Sequence, residues 1–238
     1  MEITNSIFIR SRARNLLVSC WKRRVELWRG RVEKLDDFLL FAPNKIATEM
    51  LGLTVTEVAE IPDNSVFQGR KSSVEVVGML FRKEKSIVVA PKFGFEQGRF
   101  TLAHEIAHYV LHPGLILHRE ISLNHEKYFS ELSPEEREAN LFGAELLMPA
   151  KLMQRQFMAR FAGIIDGTRK DESLFYWMSR QEPNLNKDAF FDSDPLHRAR
   201  HIARTRYCYG RPVVSLCDFF RVSPTALAIQ LIDLGLVR

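Results

Sequence analysis

The sequence predicts a helix-rich α+β protein, and three observations carry that prediction. Apolar residues recur at intervals of three and four through several segments, the repeat of a helix face. Residues 74–80 and 87–90 are dense in β-branched side chains and flank the charged turn Arg82-Lys83-Glu84-Lys85, which makes a hairpin of the pair. At 238 residues and 46% hydrophobic content, the chain can bury one good core or a core with helical appendages, and it contains no internal repeat or low-complexity tract.

The elements follow in order. Leu17, Trp21, Val25, Trp28, Val32, Leu35 and Leu39 mark one face of a long amphipathic helix that ends near Ala42-Pro43. Arginines and lysines fill the spaces between them. Residues 1–34 hold nine Lys or Arg against Glu2, Glu26 and Glu33, while the whole chain has a formal charge of only +5, so the surplus is concentrated at this end. Such a run serves as a solvated helix face or meets an acidic partner, a membrane surface or nucleic acid. A shorter helix is expected over 44–51, with Gly52 as its stop. After the hairpin, residues 100–111 read as a helix with Leu102, Ala103, Ile106, Ala107, Val110 and Leu111 on its buried face, stopped by His112-Pro113-Gly114. Ser133-Pro134 opens another helix that runs to Met148 before Pro149. Breakers crowd 165–195, and helices return over 213–220 and, capped by Ser223 with Pro224 as first residue, to Leu234. The expected regions are a basic amphipathic helix (1–43), a core (44–160), a loop or linker (161–195) and a helical C-terminal region (196–238).

No apolar run approaches the roughly 18 residues that a membrane-spanning helix needs, and the start has no leader-like apolar stretch. Cys20, Cys208 and Cys217 are odd in number and widely spaced, which fits small buried residues in a reducing compartment. The expectation is a cytoplasmic protein without membrane contact.

The chemistry is concentrated in His104-Glu105-Ile106-Ala107-His108, an HExxH pattern in a helical segment. Residues four apart on a helix lie about 40° apart around its axis and one turn along it, so two imidazoles can share one metal ion, zinc being the usual choice. Glu105 sits about 100° round, beside the metal, where a general base acts on a water. Zinc takes a third protein ligand and leaves a fourth position open. A layout with glycine three residues after the second histidine and a third histidine three further on is excluded, because Leu111 and Gly114 stand there. The alternative is a carboxylate from a later helix, and Glu135, Glu136 and Glu138 are available. Glu136 is assigned as ligand because Asn140, one turn on, can orient a ligand histidine through a hydrogen bond. Ser133 and Glu136 also have the spacing of a helix capping box, which would turn Glu136 back on its own helix.

The run Arg99-Phe100-Thr101-Leu102-Ala103-His104-Glu105-Ile106-Ala107-His108, then Glu136-Arg137-Glu138-Ala139-Asn140 and Leu146-Leu147-Met148-Pro149, resembles the ImmA/IrrE-type metallo-endopeptidases over roughly residues 45–150. The resemblance implies a small zincin-like core and a gluzincin-like set with its third ligand at Glu136. It also implies a protein substrate, a helix-turn-helix repressor cleaved in mobile-element or stress regulation. Relatives often carry an N-terminal helix-turn-helix, whereas the first 40 residues here read as one long basic helix.

Two expectations are left to the tertiary structure. The hairpin could offer an edge strand to an extended substrate, and Tyr109, His112, His118, His125 and Tyr128 are candidates to steady an oxyanion. The competing class is a non-catalytic, zinc-stabilised module that binds DNA or a regulator through basic helices at 17–39 and 198–206. Glu105 argues against it, since holding a metal needs only the histidines and Glu136.

Overall fold

A computed structural model describes residues 2–29, 42–61, 76–91, 94–114, 117–121, 132–182 and 184–238. The chain forms two compact units, Met1–Leu147 and Met148–Arg238.

The first unit opens with α1 (Glu2–Lys22) and the single turn α2 (Arg24–Leu27). The helix begins well before the expected Leu17, and its buried face is a different one. Ile9, Ala13, Leu17 and Cys20 are buried, whereas Trp21 and Val25 are exposed. Small Ala13 and Cys20 are weak signals in a hydropathy pattern, so the two large exposed residues set the wrong face in the sequence reading. The expected continuation through Val32, Leu35 and Leu39 lies outside the described residues. Next come α3 (Pro43–Lys45), which runs into a wider π-type turn (Ile46–Met50), and Gly52, whose φ of +65° lets Leu53 N–H reach back to Ala47 O.

Four strands form one sheet in the order β1 (Thr54–Glu57), β3 (Ser86–Val89), β2 (Val76–Phe81), β4 (Leu117–Ile121). β1 runs parallel to β3, and the other two pairings are antiparallel. The hairpin forms as expected, with Leu80 opposite Ile87 and Met79 opposite Val88. Alternation sends the first pair to one face, where both are fully buried, and the second to the other, where Met79 packs with Ile61 and Ala90. The hairpin therefore cannot supply a free edge, because both its strands are interior: among the described residues, the sheet edges are β1 and β4. Chain order hid this, since β1 and β4 come from segments on either side of the hairpin.

Two helices complete the unit. α4 (Phe95–Leu111) starts five residues before the expected position, after Gly94 at φ +104°, and packs on β2 and β3. α5 (Pro134–Leu147) packs against both α4 and α1. At Gly143 the crossing with α4 leaves room for a methyl and little more, since a Cβ there would lie in ordinary contact, 3.4 Å from His104 N and 3.5 Å from the Ala103 carbonyl carbon.

The second unit holds α6 (Ala150–Met158), α7 (Glu172–Ser179), α8 (Lys187–Asp192), α9 (Pro195–Arg204), a two-residue ladder of β5 (Tyr207–Cys208) and β6 (Arg211–Pro212), α10 (Leu216–Phe220) and α11 (Pro224–Asp233). The stretch 161–195, expected as a loop, contains α7 and α8. One of its breakers, Ser193-Asp194-Pro195, is a helix start, and its other polar residues include two more caps: Asp171, Asn186 and Asp194 each accept a hydrogen bond from the backbone of the helix that follows. Of the basic residues over 198–206 that the rival reading invoked, Arg204 and Arg206 are exposed and Arg198 is not. Arg198 is buried and donates to Phe190 O, Phe191 O, Ser193 O and Arg238 O, so its charge binds loose carbonyl ends inside the unit. No helix among the described residues is long and apolar enough to cross a membrane.

Candidate metal centre

His104 and His108 leave α4 on one face, one turn apart, and both are buried. Their Nε2 atoms approach to 3.0 Å. Glu136, in the first turn of α5, brings Oε2 to 3.2 Å from His104 Nε2 and Oε1 to 3.5 Å from His108 Nε2. One donor atom from each of the three side chains lies within 4.8 Å of the others. Three ligands held about 2.0–2.1 Å from a common tetrahedral ion stand roughly 3.3 Å apart. The observed separations scatter about that value, so two imidazoles and a carboxylate fit a small divalent ion of the zinc type.

Ser133 resolves the double meaning of its spacing to Glu136. Its hydroxyl accepts from the Glu136 backbone N–H at 3.2 Å, as a cap should. The Glu136 carboxylate faces the histidines all the same, so one residue is capped through its backbone while its side chain serves the site. Glu135 keeps its carboxyl below the usual range through a hydrogen bond from its own backbone N–H and a second from Ser133.

The surroundings fix the rings. His104 Nδ1 lies 2.9 Å from Asn140 Oδ1, the contact anticipated for Asn140. A neutral ligand imidazole that turns Nε2 to the ion carries its proton on Nδ1, so His104 donates to that amide oxygen. His108 Nδ1 lies 3.0 Å from His112 Nδ1, and His112 Nε2 lies 3.0 Å from Glu138 Oε2. Asn5, on α1, donates from Nδ2 to Glu138 Oε1 at 2.6 Å. These hydrogen bonds hold the Glu138 carboxyl below its ordinary value, that from Asn5 first and that from His112 second. Glu105, next to His104 on α4, is fully buried.

Several supporting residues were missed in the sequence. Arg82, placed in a solvent-facing turn, donates to Tyr109 O (3.0 Å), His108 O (2.7 Å) and His112 O (3.0 Å), and its guanidinium lies over the Tyr109 ring. A cation at a helix C-terminus satisfies carbonyls and complements the helix dipole. Glu145 is fully buried on α5, where Arg10 donates to one carboxylate oxygen at 2.9 Å and Arg14 to the other at 2.7 Å. Two cations of the basic N-terminal run are thus spent on packing α1 to the site-bearing helix. The signal was present as a buried-helix acid, Glu145 between Ala144 and Leu146, but its partners lie more than 130 residues away. Of the oxyanion candidates, His112 has both ring nitrogens committed. His125 and Tyr128, and the side chain of His118, lie outside the described residues.

None of Cys20, Cys208 and Cys217 forms a disulfide, and burial pushes the Cys20 and Cys208 thiols up to about 11, which makes them poor nucleophiles.

No curated protein matches the chain. Residues 65–161, under half of its length, match the peptidase-family model described as the IrrE N-terminal-like domain. That stretch contains the hairpin, both histidines, Glu105 and Glu136, so the part of the chain that holds the candidate metal centre is the part similar to that peptidase family.

Proposed function

We propose that the chain is a zinc-dependent endopeptidase in which His104, His108 and Glu136 hold the metal and Glu105 is the general base. The observation that carries this reading is the convergence of two helix-borne imidazoles with the Glu136 carboxylate, beside a buried glutamate that holding a metal does not require. Bound zinc would polarise the scissile carbonyl and acidify the attacking water. A Glu105 carboxylate oxygen takes the water proton as the new C–O bond forms, then passes it to the amide nitrogen as the C–N bond breaks. Asn140 keeps the His104 ring turned toward the metal through these steps.

The substrate we propose is a helix-turn-helix repressor, cleaved in the cytoplasm at a defined site. The support for this is the family resemblance together with the IrrE N-terminal-like match. The rival reading as a DNA-binding module is weakened by Arg10, Arg14 and Arg198, which are engaged in internal contacts.

The decisive variant is Glu105→Gln. It should keep about one equivalent of zinc while peptide cleavage falls by at least ~100-fold. Cleavage at the parent rate, or a parent protein that binds no zinc, overturns the proposal. Incubation with candidate repressors beside denatured casein tests the substrate class, since cleavage of casein alone would leave a peptidase without the proposed target.

A further inference from the structure

We propose that His112 and Glu138 are positioning residues for the metal centre and that Asn5 ties the N-terminal helix into the same hydrogen-bond chain. The proposal rests on the reading of His104, His108 and Glu136 as the metal ligands.

Each ligand histidine needs an acceptor for its outer N–H, because a ring that is free to rotate or change tautomer binds a metal poorly. For His104 that acceptor is Asn140. For His108 it is His112, one turn further along, where α4 ends and the ring can swing back over the preceding turn. The proton positions then follow without choice. With Nε2 of His108 turned to the metal, its Nδ1 donates to Nδ1 of His112, and His112 must carry its own proton on Nε2, which donates to Glu138 Oε2 at 3.0 Å. Glu138 Oε1 accepts from Asn5 at 2.6 Å. The two histidines donate outward from the metal and Asn5 donates from the far side, so the lines of donors meet at the Glu138 carboxylate, which only accepts.

Three features say that this arrangement is built for the site. Arg82 binds the carbonyls of both His108 and His112, fixing the backbone under the two rings. Glu138 sits two residues from Glu136, so α5 supplies a metal ligand and the support for another ligand from one turn. With both its nitrogens engaged, His112 has no donor left to offer a substrate, and its use is in holding His108. Through Asn5 the chain reaches α1, whose Arg10 and Arg14 hold the same α5 further along at Glu145. The basic N-terminal helix is accordingly part of the apparatus that sets metal affinity.

The test is zinc affinity measured by competition with a chromophoric chelator, alongside thermal melting of the zinc-free proteins. His112→Ala and Glu138→Ala should each weaken zinc binding by roughly 10–100-fold, and the double variant by little more than either, because they act in series. Glu138→Gln should stay within several-fold of the parent, since an amide oxygen still accepts from His112. Asn5→Ala should give a smaller loss than Glu138→Ala. The zinc-free variants should melt close to the parent, which separates ring orientation from general destabilisation. If His112→Ala does not fold, Glu138→Ala carries the test, since its carboxylate is partly exposed. A parent that binds zinc, with His112→Ala and Glu138→Ala binding within twofold of it, overturns this proposal and leaves the metal site standing. A parent that binds no zinc overturns the metal site itself.

Discussion

The buried carboxylate of Glu145 is the most exacting place to perturb the helix that carries Glu136. Its side chain has 0% exposure, while those of Arg10 and Arg14 retain 14% and 45%. Removing one member of a buried ion pair costs about 3–5 kcal/mol, because the survivor stays desolvated. Solvent screens Arg14 most, so Arg14→Ala should cost about 1 kcal/mol. Arg10→Ala should cost about 2 kcal/mol, since Arg14 still engages Oε1 of the abandoned carboxylate. Glu145→Ala should cost about 3 kcal/mol, as it unpairs both arginines and leaves a void between α1 and α5. The double variant Arg10→Leu/Glu145→Leu should recover part of the loss, because apolar groups of similar volume need no solvation. Of the three tryptophans, Trp21 and Trp28 belong to the first unit and Trp177 to the second. Urea unfolding followed by fluorescence in a Trp177→Phe background, with zinc stripped to remove its linkage to stability, therefore reports on the first unit. A Glu145→Ala loss below about 0.5 kcal/mol, or a double variant that merely sums the two single losses, would refute the reasoning.

Three further outcomes are expected. Gly143→Ala should be tolerated, since its methyl would meet α4 at ordinary contact distance, whereas Gly143→Val should push α5 off His104 and lower zinc affinity in the chelator assay. Gly167→Ala should destabilise the second unit by about 1–3 kcal/mol in urea, because the new methyl would lie 2.6 Å from an Arg198 nitrogen that three carbonyls hold in place. Burial, with the hydrogen bond to Asp171 second, pushes the Tyr209 hydroxyl up to about 12. A raised folded-state pKa gives stability that is complete below the unfolded value near 10 and lost as pH rises through 12. The parent should therefore lose stability over that window, measured by urea unfolding at stepped pH, and Tyr209→Phe should flatten the loss.

The HExxH pattern was legible in the sequence because its geometry is local. Four residues make about one helical turn, so His104 and His108 share a face wherever the helix is placed. Helix ends were legible for the same reason: Pro134, Ser223-Pro224 and Gly52 act on the backbone beside them. Elements set by distant partners were not. Ile9, Ala13, Leu17 and Cys20 became the covered face of α1 because α5 lies there, and Trp21 was left outside. The breakers of 161–195 looked like loop chemistry because a helix cap and a turn use the same residues, and only packing decides which they become.

What the sequence determined by itself is the chemical vocabulary of this protein: an HExxH helix, a capped helix rich in glutamate, and a hairpin before them. The tertiary structure decided which glutamate turns to His104 and His108 and which to His112. It also decided that the hairpin lies inside its sheet, and that arginines from the first helix neutralise an acid buried on the fifth. The physical reason is range. Backbone propensities and caps act over a few residues and can be read in order, whereas the partner of a buried charge is chosen by which surfaces meet when the helices pack.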